Sequence, residues 1–553
     1  MKKIILMLVI SGLILVSCTD APVKETDEGE NEIFNSDYSD SSPYVFMIDG
    51  ELPDIGKFSG NSYDSYFDEP VYDFGPGDYG KMIPYLGAVK DFGDMKRYSY
   101  GLCDENGKII MNASRKTRGI VYNDDGEGGS VFSITVKDED TEDTEAIYDD
   151  YYYSKVSVAG GNGKWVKNLD GGWCNFICDG IVSVTKNDFE NDKLTCVLYN
   201  YDGEEIMTVD GYDNVNGYGC GLLCVTNWNE EGSESYFINL EGEIVLGPYI
   251  EASSFNEHGI TYVTDYNYNT YLIDTTGKAI TEKNYTGCFV QGGYKGGQSA
   301  FVMTENDDDG GFDIFRNDGT YAGSVNDENV NYISLRFPDN GDIIYSYTIS
   351  NEDYSHSTNF WKRLSDGSDF VCVENGMMPS SYIGNDNTYV CVDENSNGYV
   401  INGDGETIAV IEDYHEDGFE VSDDGRYIAY NSGKYVYDYN ADNGENSVND
   451  TRKFTIYDTV EKKVLYKADK AGFASFVGDG RYIKFVLYSD VGFYSVDEEY
   501  FLFDTQKNKL IFENCLIIMS DKYHGEWYYN VCTKNSCTLY DSNLNVILKT
   551  YNE

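Results

Sequence analysis

Residues 236–246 read YFINLEGEIVL, and residues 271–280 read YLIDTTGKAI. Each is a run rich in Tyr, Ile and Leu, then a short polar turn holding a glycine, then a second apolar run. Side chains alternate across a strand, and a tight turn needs a residue that accepts positive φ, so each segment predicts a β-hairpin. The unit recurs along the chain as GLCDENGKII (101–110), VLYNYDGEEIM (197–207), DIFRNDGTYAGSV (313–325) and VINGDGETIAVI (400–411). Later copies are FTIYDTVEKKVLY (454–466), YFLFDTQKNKLIF (500–512) and CTLYDSNLNVIL (537–548). No long stretch carries a 3.6-residue apolar period, so the chain reads as all-β.

The turns return at intervals of roughly 35–55 residues, the spacing of a propeller blade or a related β repeat. A unit of three or four strands cannot cover its own apolar faces, so neighbours must stack. About ten or eleven such units fit between Tyr44 and Glu553, and one ring typically holds about four to eight blades. The expectation is therefore a β-propeller-type architecture of two rings, or of one ring with an irregular β-repeat array beside it.

Two resemblances sharpen this expectation. FNEHGITYVTDYNYNTYLIDTTGKAITEKNY (255–285) resembles a WG repeat through Phe255, Glu257, Gly259, Ile273, Asp274, Gly277 and Lys278, with Asn269-Thr270 where Trp-Gly would stand. Tyr100-Gly101-Leu102-Cys103-Asp104 with Gly107-Lys108 resembles the same core. FEVSDDGRYIAY (419–430) and FASFVGDGRYIKF (473–485) resemble the strand pair of TolB-type and WD-type propellers. Both families imply a binding scaffold. The resemblances divide the chain into a WG-like region at 95–329 and a TolB/WD-like region at 330–553.

The start of the chain is different. Lys2 and Lys3 precede a 13-residue apolar run, Ile4 to Val16. That is short for a membrane span, which needs about 20 residues, and fits a signal peptide at 1–17. Leu15-Val16-Ser17-Cys18 resembles a bacterial lipobox, which implies lipidation of Cys18 and a membrane anchor on the extracytoplasmic face. Residues 19–43 are acidic and nearly free of apolar side chains, and read with Cys18 as a disordered tether. Six of the nine prolines lie before residue 90, four of them within residues 44–94, which read as an irregular lead-in.

Composition removes several functions. Ninety-six Asp and Glu against 40 Lys and Arg give a formal charge of −56, which repels a phosphate backbone and excludes nucleic acid as a partner. Four histidines, His258, His356, His415 and His524, lie far apart and share no motif. There is no G-x-S-x-G elbow, no H-E-x-x-H and no P-loop, so no catalytic residue is assigned. A carboxylate pair for glycoside cleavage cannot be located among so many acids.

Three polar features remain. Asp393, Asn395 and Asn397, followed by Gly398 and with Asp404 at position twelve, match the opening of a calcium loop. The alternative is a hairpin tip that uses Asn and Gly for backbone geometry. Asn306–Asp309 allows the same calcium reading or a solvated loop, and Asp138–Glu145 is a dense acidic run that reads as a solvated insertion loop or as a docking site for a cationic surface or peptide. Fifty-one tyrosines suit sugar stacking, although most, such as Tyr236, Tyr271, Tyr457 and Tyr500, sit where packing between sheets explains them.

Twelve cysteines follow Cys18. Cys174 and Cys178, and Cys220 and Cys224, fall four apart in apparent strands, too far along one face to bridge, and read as buried thiols. Cys532 and Cys537 flank a two-residue turn at Lys534-Asn535 that would set them opposite each other, and are the expected disulfide. The sequence thus describes a lipid-anchored β-repeat scaffold for a protein or glycan ligand. A carbohydrate-active enzyme on a propeller and a structural partner in an envelope complex are the alternatives.

Overall fold

The computed structural model describes residues 44–47 and, apart from several connections of which 138–153 is the longest, residues 75–552. Cys18, the tether and the acidic runs at 138–145 and 306–309 lie outside the described residues.

Every element among the described residues is a strand. Antiparallel meanders form eleven blades, within residues 83–114, 117–170, 172–209, 214–249, 251–274, 287–325, 334–363, 378–411, 414–468, 471–515 and 517–552. Blades 1, 5 and 7 have three strands and the others are built on four. Blade 9 carries an extra hairpin, Tyr435–Asn440 with Glu445–Asp450, between its second and third strands. Blade 11 gains a fifth strand, because Tyr44–Met47 pairs antiparallel with the outer strand Val546–Asn552. The architecture is a β-propeller.

Each interface between successive blades buries its own apolar cluster. Val131, Val158, Trp165, Val182 and Val197 fill the space between blades 2 and 3. Ala300, Val302, Ile314, Ile333, Leu335 and Tyr345 do so between blades 6 and 7, and Phe454, Ile456, Phe485 and Phe501 between blades 9 and 10. Full burial of one such side chain stabilises by about 1.5–3 kcal/mol. Tyr523, Leu539 and Leu548 of blade 11 pack with Ile83, Leu102 and Met111 of blade 1 and with Phe132 and Ile134 of blade 2. The last blade therefore meets the first, and the eleven blades form one circuit, where two rings or one ring with an irregular array beside it were expected. The cluster joining blades 6 and 7 spans residue 330, so the two repeat styles share one core. A sequence counts repeating units, but the angle between blades depends on how side chains fill each interface.

A single hairpin geometry repeats through the molecule. Asp104, Asn200, Asn239, Asn256, Asp265, Asp274, Asp393, Asn402 and Asp541 each accept, through Oδ1, the N–H groups two and four residues on. The residue three positions on has positive φ in all nine cases. It is glycine at 107, 203, 242, 259, 277 and 405, and Tyr268, Ser396 and Leu544 in the others. This is a three-residue loop closed by a bulge, with an Asp or Asn oxygen pairing N–H groups that the ladder leaves over.

Two sequence expectations change. The lead-in at 44–94 contains a regular strand, Ile83–Asp91, which opens blade 1. Pro84 is tolerated near its start, where its carbonyl accepts Asn530 Nδ2 of blade 11 at 3.3 Å. Cys220 is not in a strand but in a turn, at φ 52°, and is exposed.

Candidate functional site

In a four-stranded meander the turns after the first and third strands emerge on one face, and the turn after the second emerges on the other. On the first of these faces, two recesses open over blades 6 to 9. One, of about 460 Å³, is lined by Arg316, Asn340, Asp342, Leu364 and Ser365 among others. The other, of about 440 Å³, is lined by residues including Asp339, Asn340, Asn387, Asp404, Asp424 and Arg426. Asn340 belongs to both, so they form one cleft.

The walls are turns held by their own polar side chains. Asn340 Oδ1 accepts the N–H of Asp342 at 3.0 Å, with Gly341 between them at φ 83°. Asn387 Oδ1 accepts the N–H of Asp339 at 2.9 Å, tying blade 8 to blade 7. The arginines are committed to the same work. Arg316 donates to the Gly341 carbonyl at 3.0 Å. Arg363 lies over the Phe370 ring, donates to Asp342 at 3.3 Å and to the Asp404 carbonyl at 3.1 Å. These guanidiniums join blade to blade, while the carboxylates of Asp339, Asp404, Asp423 and Asp424 are exposed. The cleft is therefore a negatively charged surface on a rigid frame.

Its last wall belongs to a motif that occurs twice. Arg426 lies 4.9 Å over the Tyr427 ring and binds Asp458 at 2.9 Å, while Thr459 Oγ1 donates to the Arg426 carbonyl at 2.9 Å. In blade 10, Arg481 lies 4.8 Å over Tyr482 and binds Asp504 at 3.4 Å, and Thr505 Oγ1 donates to the Arg481 carbonyl at 2.8 Å. Both carboxylates are buried. Burial alone would raise the Asp458 pKa, but Arg426 and the N–H groups of Glu461 and Val460 outweigh it and hold the carboxyl below its usual range. The sequence showed Asp-Gly-Arg-Tyr twice without revealing its partner. The available signal was the second shared pair, Asp-Thr at 458–459 and 504–505.

The other predicted residues are not brought together. Asp393 directs Oδ1 at the N–H groups of Asn395 and Asn397, at 2.9 and 2.8 Å, and Oδ2 accepts Asn397 Nδ2 at 3.0 Å. These bonds hold the Asp393 carboxyl below its usual range. Asp404, the twelfth position of the supposed calcium loop, sits at the other end of the strand Gly398–Asn402, on the opposite face of blade 8. Five residues of strand separate the two by roughly 17 Å. Among the described residues no three His, Cys, Asp or Glu side chains are placed to hold one metal ion. His258, His415 and His524 lie in blades 5, 9 and 11, and His356 lies outside the described residues. Cys532 and Cys537 stand directly opposite across their hairpin, with Cα atoms 4.0 Å apart and the sulfurs in contact. Tyr236, Tyr271, Tyr457 and Tyr500 are half-buried against blade interfaces, as packing residues.

No family model matches the chain, and no curated protein matches it. Among solved structures it is similar to a eukaryotic initiation factor, at 10% identity over 78% of this chain and 95% of that one, with a TM-score of 0.39. BamB from Moraxella catarrhalis aligns at 12% identity over 64% of this chain and 96% of its own, with a TM-score of 0.24. AztD from Citrobacter koseri aligns at 10% identity over 65% and 91%, with a TM-score of 0.25. At such identities and scores these likenesses carry no inference about ligand or activity.

Proposed function

We propose that this protein is a non-catalytic binding scaffold, held at the extracytoplasmic face of a membrane by a lipid on Cys18, whose cleft over blades 6–9 docks a basic segment of a partner protein. The observation that carries the reading is the division of charge in the cleft. Its arginines are engaged by the frame, Arg316 and Arg363 by carbonyls of the next blade and Arg426 by Asp458 of its own blade, while the carboxylates of Asp339, Asp404, Asp423 and Asp424 are exposed. A cleft lined by one sign of charge concentrates ligands of the other sign and speeds their encounter. The overall charge of −56 adds to that attraction and disfavours nucleic acid.

The test uses the soluble body with arrays of lysine- and arginine-rich, neutral and acidic peptides. Basic peptides are expected to bind, with affinity falling as salt rises. The combined substitutions Asp339→Asn, Asp404→Asn, Asp423→Asn and Asp424→Asn are expected to weaken binding at least tenfold. Equal binding by this variant, or a preference for acidic peptides, would overturn the reading. Product release from an oligosaccharide panel would favour a carbohydrate-active enzyme instead. Mass spectrometry of the mature N-terminus is expected to show a diacylglyceryl cysteine at position 18. We also propose that Cys532 and Cys537 are bonded in the oxidised protein, which a crosslinked peptide in a non-reducing digest would show.

A further inference from the structure

The opposite face carries a site of a different kind, on the neighbouring second turns of blades 4 and 5. Trp228, Tyr266 and Tyr268 are 60%, 52% and 72% exposed there. Tyr268 sits at φ 61°, in the hairpin position that six of the nine equivalent turns give to glycine. A bulky L-residue is strained in this region. Leu544 takes the same position and packs its side chain against the core between blades 10 and 11. Tyr268 leaves most of its ring in solvent and gains no such compensation. Strain kept at an exposed aromatic residue points to use of the ring itself.

Hydrogen bonds hold the Tyr266 ring and the backbone that carries the other two. Tyr266 Oη donates to Glu234 Oε1 at 3.1 Å, across from blade 5 to blade 4, and Tyr236 Oη donates to Glu234 Oε2 at 2.8 Å. The main-chain N–H of Trp228 is held by Asp213 Oδ2 at 2.6 Å. Beneath the blade 5 turn, the hydroxyls of Thr264 and Thr270 bond at 2.9 Å in a buried pair. Ser233, the strand partner of Trp228, donates to the Ile250 carbonyl at the entry to blade 5, which brings the two turns side by side. A ring and turns already held in place lose little freedom when a ligand covers them. The amide side chains of Asn267 and Asn269 flank Tyr268 in the same turn.

We infer that Trp228, Tyr266 and Tyr268 form a carbohydrate-binding platform for an uncharged oligosaccharide. The C–H face of a pyranose ring is apolar and weakly positive, and matches the negative face of an aromatic ring. Its hydroxyl edge meets Asn side chains, which both donate and accept, and a Glu carboxylate, which accepts. The carboxylates of Asp213 and Glu234 beside these residues repel sialylated or uronic sugars. The site is independent of the cleft over blades 6–9 and stands on different residues.

A printed array of neutral and acidic oligosaccharides, followed by calorimetry with the strongest neutral hit, tests the proposal. Wild-type protein is expected to bind neutral sugars, unaffected by the cleft substitutions and little affected by salt. Tyr268→Gly removes the ring and relieves the backbone, so it is expected to keep or raise the melting temperature while weakening sugar binding at least tenfold. Trp228→Ala is expected to weaken it comparably. The proposal fails if no neutral sugar binds, if only acidic sugars bind, or if the stable Tyr268→Gly protein binds as wild type.

Discussion

Asn431 and Asn530 are buried amides that read the backbone of the next blade. Asn431 Nδ2 donates to the Gly472 carbonyl at 2.9 Å and Oδ1 accepts its N–H at 3.0 Å, so both polar groups of one residue in blade 10 depend on one side chain in blade 9. Asn530 does the same between blades 11 and 1, with the N–H of Leu86 at 3.0 Å and the Pro84 carbonyl at 3.3 Å. Asn431→Leu keeps the volume but leaves a buried donor and acceptor unpaired, and is expected to cost about 2–3 kcal/mol, read as a lower urea midpoint. Arg452 is a second case. It is buried at the root of the blade 9 hairpin, 4.5 Å from the Tyr435 ring, with Nε and Nη2 on the two oxygens of Asp450 at 2.9 and 2.8 Å. Burial opposes the Asp450 charge, but Arg452 prevails and holds the carboxyl below its usual range. A depressed folded-state pKa contributes stability above the unfolded value near 3.9, and that contribution is lost as pH falls through the folded value. Urea midpoints at pH 7 and pH 3 are therefore expected to differ more in wild type than in Asp450→Asn. None of these partners was legible in the sequence, because an Asn in a strand looks the same whether it meets water or a neighbouring backbone.

At the scale of the element, the hairpins were the most legible part of the chain. Asx and Gly at a fixed spacing specify the turn locally, without help from the rest of the fold. What the spacing could not supply is the face on which each turn emerges. The calcium-like run at 393–397 belongs to the turn after the second strand of blade 8, and Asp404 to the turn after the third, so one strand keeps them apart. Millimolar calcium is accordingly expected to leave the melting temperature within about 1 °C of the chelator-treated protein, for which a shift of several degrees would be contrary evidence. Gly277 is under two constraints, at φ 80° and with Leu246 Cδ2 2.8 Å from where a Cβ would stand. Gly277→Ala is expected to destabilise by about 1–3 kcal/mol, whereas Gly425→Ala, at φ 69° with only Thr388 Oγ1 at 3.4 Å, meets the backbone cost alone. Chemical denaturation of the two variants side by side checks the difference.

The whole molecule is governed by closure and by charge. Each inner blade has both faces covered by its chain neighbours, and blade 11 is covered by blades 10 and 1. A net charge of −56 acts against this compact state, because like charges repel across distances that dilute salt does not screen. Raising sodium chloride from 10 to 300 mM, an experimental range spanning Debye lengths from about 30 Å to under 8 Å, is expected to raise the melting temperature. A flat or falling profile by differential scanning calorimetry would show that self-repulsion is not the controlling term.

The sequence by itself determined that the chain is all-β, that it is built of about ten or eleven repeating units, and where most of its hairpins turn. Those properties are local, set by alternation along a strand and by residues that accept positive φ. Only the tertiary structure decided that the blades run in one circuit, that scattered aspartates gather into a cleft over blades 6–9, and that the blade 4 turn beside Trp228 neighbours the blade 5 turn of Tyr266 and Tyr268. Such juxtapositions depend on the angle at which one blade's side chains seat against the next, and no short stretch of sequence contains both sides of that contact.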